Sequence, residues 1–93
     1  MTLEQVRHVL EVEKAKSINQ AANNMFLSQS ALSLSIKALE QEFGQDIFIR
    51  NSKGVALTPF GRTFISYVRP IQLQINQLYS LRKGNAARHM LSL

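Results

Sequence analysis

The sequence predicts a mainly α-helical protein with one two-stranded β-hairpin and a long helix after it. Three observations carry this. Apolar residues recur every three or four positions in four stretches, opened by Thr2, Ser17, Ser28 and Thr58, residues suited to helix capping. Between the third and fourth stretches, IFIR (47–50) and VAL (55–57) flank the turn residues Asn51, Ser52, Lys53 and Gly54. The last stretch holds its helical spacing from Pro59 to about residue 83.

Taken in order, Thr2 caps a helix whose apolar set is Leu3, Val6, Val9, Leu10 and Val12. It fades near Lys14 and Lys16, cations that suit the negative end of a helix. Ser17 caps a short helix through Ile18, Ala21, Ala22 and Met25, and the paired alanines allow another helix to approach closely. Phe26 and Leu27 form a tight turn, and Ser28 caps the third helix. That helix buries Leu32, Ile36, Leu39 and Phe43 and stops at Gly44, which accepts the left-handed conformation after a helix end. After the hairpin, Thr58 is an N-cap and Pro59 occupies the first helical position, where its missing N–H costs nothing. Phe60, Phe64, Tyr67, Val68, Ile71, Ile75, Leu78 and Leu81 then continue at helical spacing. Pro70 falls inside this helix and predicts a kink, because its ring clashes with the Ser66 carbonyl. Gly84 and Asn85 end the helix, and AARHMLSL has no pattern.

The bulk composition bounds the function. The 93 residues suffice for one small core, and 45% hydrophobic with 18% charged residues is not a disordered composition. There is no cysteine, which excludes disulfides and thiolate metal sites and fits a reducing cytoplasm. No apolar run approaches the roughly 18 residues of a membrane span, and MTLEQVRHVL lacks the order of a signal peptide. The net charge of +5 is unevenly placed. Residues 1–46 carry Arg7, Lys14, Lys16 and Lys37 against Glu4, Glu11, Glu13, Glu40, Glu42 and Asp46. Residues 47–93 carry Arg50, Lys53, Arg62, Arg69, Arg82, Lys83 and Arg88 and no acid. This points either to a polyanionic partner or to a solvated basic surface.

Two short helices joined by a tight turn, the second longer and followed by a hairpin, describe a winged helix-turn-helix. The turn lacks the glycine often found there, and an unrelated helical domain with a hairpin remains the alternative. The outward face of the third helix is unusual: Gln29, Ser30, Ser33 and Leu34, with one cation at Lys37. Such a face suits the major groove. Short side chains allow close approach, acids would be repelled by phosphates, and Gln29 can pair bidentately with adenine. Serines can donate or accept, and Leu34 can cover a thymine methyl. Taken singly, Gln29, Ser30 and Ser33 each read better as ordinary exposed helix surface.

The stretch SINQAANNMFLSQSALSLSIKALEQEFGQDIFIR resembles the N-terminal DNA-binding domain of the LysR-type transcriptional regulators, through Ser17, Ala21-Ala22, Ser28-Gln29, Ala31-Leu32-Ser33, Ile36, Leu39-Glu40, Gly44, Phe48, Arg50, Leu57-Thr58 and Gly61. The resemblance implies a bacterial cytoplasmic regulator that binds double-stranded DNA and needs no cofactor. It divides the chain into a winged helix-turn-helix (1–58), a linker or dimerisation helix (59–83) and a tail (84–93) leading to an effector-binding domain absent from the chain. A small-molecule inducer would bind only in that domain. The resemblance further implies base contacts from Gln29, Ser30, Ser33 and Leu34, with Ser28 counted in the DNA-facing set. Phosphate or groove contacts would come from Asn19, Lys37, Arg50, Ser52 and Lys53. It implies a homodimer through the long helix, with a tetramer open for the full-length protein. The expected dimer residues are Phe64, Val68, Ile71, Ile75 and Leu78. The start of the stripe, Phe60 and Phe64, is also expected to pack on the winged-helix core, whereas Ile71, Ile75 and Leu78 lie several turns beyond Thr58, too far for a small domain to cover. The chain departs from the family pattern at Ser30, where proline is common, and at Leu34, where arginine is common; losing that arginine removes a strong guanine reader.

An enzyme is not expected. There is no metal-ligand cluster, no glycine-rich phosphate loop and no Cys/His pair, and His8 and His89 are isolated. The competing reading is a winged helix used as a protein-interaction module.

Overall fold

In a computed structural model, which describes residues 1–83, every helix opens at a side-chain cap. Helix α1 (Leu3–Ala15) begins with a capping box: Thr2 Oγ1 accepts from Gln5 N at 3.0 Å, and Gln5 Oε1 accepts from Thr2 N at 2.8 Å. Ser17 caps α2 (Ile18–Asn24) by accepting from Gln20 N, and Ser28 caps α3 (Gln29–Phe43) by accepting from Ala31 N. The antiparallel strands β1 (Phe48–Asn51) and β2 (Gly54–Leu57) follow, pairing from Phe48↔Leu57 to Asn51↔Gly54. Thr58 then accepts from Gly61 N to open α4 (Pro59–Tyr79), with Pro59 in the first turn.

Element boundaries depart from the sequence reading in the hairpin and at the end of α4; Asn51 and Gly54, expected in the turn, pair as the last rung of the ladder. Strand β1 starts at Phe48 because the Glu40 carboxylate takes the N–H groups of Ile47 and Phe48, at 2.7 and 3.2 Å. Helix α4 ends at Tyr79, short of residue 83, as the N–H groups of Leu81 and Arg82 tighten onto the carbonyls three residues back. It runs through Pro70 without interruption. The predicted tail, 84–93, lies outside the described residues, as does His89.

The core draws on every helix. Val6, Val9 and Val12 of α1 meet Ala21 and Ala22 of α2, Leu32, Ile36 and Leu39 of α3, Ile47 and Phe48, and Phe64, Ile65 and Val68 of α4. The first turns of α4 therefore complete the core of the domain that precedes them. Phe43, expected inside, is 41% exposed. It sits at the last turn of α3 and leans on the rings of Phe60 and Phe64, centroids 5.9 and 5.4 Å away, instead of entering the core.

Two close approaches fix the hairpin. A Cβ on Gly61 would collide with the Ile47 carbonyl oxygen, so α4 crosses the start of β1 at a separation only glycine allows. Gly54 has φ +130, and a Cβ there would collide with the Lys16 carbonyl oxygen, which also accepts from Val55 N at 3.2 Å. Lys16 is itself left-handed (φ 57) at the C-cap of α1. The glycine-free turn between α2 and α3 bends at Phe26, also left-handed (φ 58) and 96% exposed. A non-glycine residue there costs about 1–2 kcal/mol, offset by the packing of the helices on either side. The arrangement is the winged helix-turn-helix predicted from the sequence.

Candidate nucleic-acid interface

The start of α3 stands free of the core on its outer side. Gln29, Ser30, Leu34 and Lys37 are exposed, Leu34 at 69%, while Ser33 is half-buried. The Ser28 hydroxyl is exposed but already engaged as the cap. The buried side of the same helix, Leu32, Ile36 and Leu39, rests on α1 and α2. The helix is thus held by one face and presents the other.

Neighbouring elements lock onto that free face in two places. Asn19 of α2 is exposed, and its Oδ1 accepts from Gln29 Nε2 at 2.7 Å. Arg50 of β1 reaches back to α3, its Nη2 donating to Ser33 Oγ at 3.1 Å. Ser33, Leu34, Lys37 and Arg50 line a cleft of about 290 Å³ between α3 and the hairpin, walled by Ile18, Ile36, Glu40 and Phe48. Ser52 and Lys53 stand exposed at the hairpin tip, beyond the cleft; the tip is shaped by Asn51 Oδ1, which accepts from Lys53 N at 2.8 Å. Among the described residues, neither tip side chain forms a hydrogen bond.

The electrostatics of this face come from where the acids go. Among the described residues, Glu40 is the one acid lining the cleft; its Oε2 accepts from the N–H groups of Ile47 and Phe48, which fixes the carboxylate in place while it keeps its charge. Glu11 accepts from Asn24, Glu13 pairs with Arg69 at 3.1 Å, and Glu42 pairs with the N-terminal amine at 2.9 Å. Around α3 and the hairpin, Lys37, Arg50 and Lys53 stand against Glu40 and the exposed Asp46, a modest positive balance.

All the DNA-facing residues expected from the sequence are solvent-accessible, and the structure brings them into two clusters, Asn19 with Gln29 and Ser33, Leu34 and Lys37 with Arg50. Ser28, Ser30, Ser52 and Lys53 join neither. Sequence reasoning missed the roles of Ile18 and Phe48 as walls and of Glu40 as the clamp on β1. An acid on α3 one turn before Gly44, with a strand following, was the available signal.

The apolar stripe of α4 needs correction. Phe64 and Val68 were expected at a dimer interface, but they are 5% and 2% exposed within the single chain, sealed between α4 and the rest of the core. Beyond them the stripe emerges: Ile71 is 43% and Leu78 63% exposed, with Ile75 half-buried. Tyr67, on the same side, is 72% exposed.

His8 is a packed residue, 7% exposed, with Nδ1 2.6 Å from Ser35 Oγ. Burial lowers its pKa below 6.5, reinforced by Arg7 and opposed by Glu4. Among the described residues no cluster of His, Asp or Glu could hold a metal ion, and no helix is long and apolar enough to cross a membrane.

Residues 3–62 match the family model of the bacterial regulatory helix-turn-helix proteins, lysR family. The chain is 35% identical over 88 residues to the HTH-type transcriptional regulator TfdT of Cupriavidus pinatubonensis, covering 95% of this chain and 38% of TfdT. It is 32% identical over 71 residues to the HTH-type transcriptional regulator HdfR of Yersinia enterocolitica, covering 76% of this chain and 24% of HdfR. The chain thus spans well under half the length of either relative. Among solved structures, it is similar to the BenM DBD in a complex with catB site 1 DNA, at a TM-score of 0.84 and 31% identity, covering 92% of this chain and 97% of that one. Full-length OxyR from Pseudomonas aeruginosa matches at a TM-score of 0.80 and 31% identity, over 87% of this chain and 28% of that one. With its winged fold, its two-cluster face on α3 and a family match over most of its length, the chain belongs to the lysR family of bacterial regulatory helix-turn-helix proteins.

Proposed function

We propose that this chain binds double-stranded DNA sequence-specifically as the DNA-binding part of a LysR-type transcription regulator, and has no enzymatic activity. Helix α3 lies in the major groove, with Gln29, Ser30, Ser33 and Leu34 toward base edges. Asn19, Ser28, Lys37 and Arg50 flank them, and the tip residues Ser52 and Lys53 meet the backbone or the adjacent minor groove. Two copies pair through the outer part of α4, along Ile71, Ile75 and Leu78. The protein works in the cytoplasm, and any small-molecule inducer binds outside these residues.

One observation supports the reading above the rest: the short outward side chains of α3 and the cations of α3 and the hairpin share one cleft, lined by Ser33, Leu34, Lys37 and Arg50, with Lys53 exposed at the adjoining tip. Short polar side chains flanked by cations suit a surface that must reach base edges between rows of phosphates.

Selection from a randomised duplex pool, followed by affinity measurements across a salt series, tests the proposal. A specific duplex should be enriched, and the logarithm of affinity should fall linearly with the logarithm of salt. Failure to enrich any sequence, with salt-independent binding to another protein, would establish the interaction-module reading instead.

A further inference from the structure

The contact between Arg50 and Ser33 constrains chemistry as well as position. Arg50 Nη2 lies 3.1 Å from Ser33 Oγ. A guanidinium has donors and no acceptor, so the serine hydroxyl must accept. One lone pair of Oγ is thereby occupied, and the second lies beside a permanent cation. A hydroxyl that accepts from a charged donor becomes a stronger donor and a poorer acceptor. Among the described residues no acid pairs with the guanidinium: Glu40, which lines the same cleft, is turned to the N–H groups of Ile47 and Phe48 through Oε2 and makes no ion pair with Arg50.

An unconstrained serine in the major groove pairs with donors and acceptors alike. We infer that Arg50 is a positioning residue for base recognition: it makes Ser33 a one-way donor, and so excludes cytosine from the base position beneath it. Guanine, adenine and thymine each offer an acceptor in the major groove, at N7 or O6, N7, and O4; cytosine offers only its N4 amino donor. The guanidinium strengthens the exclusion by repelling that amino group. Discrimination thus arises on α3 from a charge supplied by β1. Leu34 and Lys37, the exposed α3 side chains that line the cleft with Ser33, carry no acceptor that could reverse it. The inference rests on the proposed seating of α3 in the major groove.

Selection from a randomised duplex pool at one fixed salt concentration, with the wild-type chain, Ser33→Ala, Ser33→Thr, Arg50→Met and the Ser33→Ala/Arg50→Met double variant, tests it. Thermal melting of each variant monitors folding. The wild type and Ser33→Thr should disfavour cytosine at one position by about threefold to tenfold, the worth of one hydrogen bond. Ser33→Ala and Arg50→Met should each erase that bias at the same position, and the double variant should lose no more than either. Two results would overturn the inference while leaving DNA binding intact. Arg50→Met could weaken all sequences evenly and keep the bias, making Arg50 a phosphate contact. Alternatively, Arg50→Met could change preference where Ser33→Ala does not, making Arg50 itself the reader. A wild-type chain that enriches no sequence would overturn the seating of α3, and this inference with it.

Discussion

Asn19 Oδ1 accepts a hydrogen bond from Gln29 Nε2 at 2.7 Å, so the first side chain of the exposed α3 face is held by the helix before it. One N–H of the Gln29 amide is used. The second N–H and Oε1 remain, which is the pair required to grip adenine at N7 and N6. Asn19→Ala should therefore lower the preference for adenine at one position by about threefold to tenfold with little change in melting temperature. Competition binding with duplexes altered only at that base checks this; an unchanged ratio would make Asn19 a bystander.

The core position Ile36 and the rim position Phe43 should respond differently to truncation. Ile36 is 5% exposed, and Ile36→Ala should cost about 2–5 kcal/mol. Phe43→Ala removes a ring that is 41% exposed and should cost less, because solvent already reaches it. Urea denaturation of the two variants gives the comparison, and equal losses would contradict the observed placement.

Gly61→Ala should destabilise the fold by about 1–3 kcal/mol, because the added carbon meets the backbone oxygen of Ile47, which has no rotamer with which to yield. A variant as stable as the wild type would show that α4 can slide away from β1 at no cost.

Stability should depend on pH through His8. Burial lowers its folded-state pKa below the ordinary 6.5, so the unfolded chain binds the proton more readily. The stabilisation is complete above pH 6.5 and is lost as pH falls through that value toward the folded-state pKa. Denaturant unfolding between neutral and mildly acidic pH should show the decline, and His8→Gln should flatten it.

Lysine substitutions along α4 should separate core from interface. Ile71→Lys with Leu78→Lys should leave a folded monomer, since both side chains are already solvent-exposed, at 43% and 63%. Phe64→Lys or Val68→Lys should unfold the domain, since either buries an unpaired charge. Sedimentation over a range of concentrations, paired with circular dichroism, distinguishes these outcomes. A wild-type monomer at every concentration would remove the case for pairing through α4.

The features legible in the sequence were those written locally. Thr2, Ser17, Ser28 and Thr58 announce their helices because a cap acts within three residues, and the hairpin declares itself through Asn51–Gly54. Periodicity also gave the outward face of α3. It did not show where a stripe changes employment. Phe64, Val68, Ile71 and Leu78 share one side of α4, yet the first pair is core and the second is surface, because the domain simply ends between them. Phe43 was misread for the same reason. The pairs that organise the face were invisible because they are not local: Asn19 and Gln29 are 10 residues apart, and Ser33 and Arg50 are 17 apart.

The hairpin is held at both ends. At its base, Glu40 Oε2 receives the N–H groups of Ile47 and Phe48, and the Ile47 carbonyl receives Thr58 N. Beside the turn, the Lys16 carbonyl receives Val55 N and abuts Gly54, which pairs with Asn51. Among the described residues, the side chains of Ser52 and Lys53 form no hydrogen bond and project into solvent. The freedom of this end therefore lies in two side chains and not in the length of the loop. Evolution or design can retune what it touches by exchanging those two residues, whereas an insertion between them would pull Gly54 away from the carbonyl that aims it.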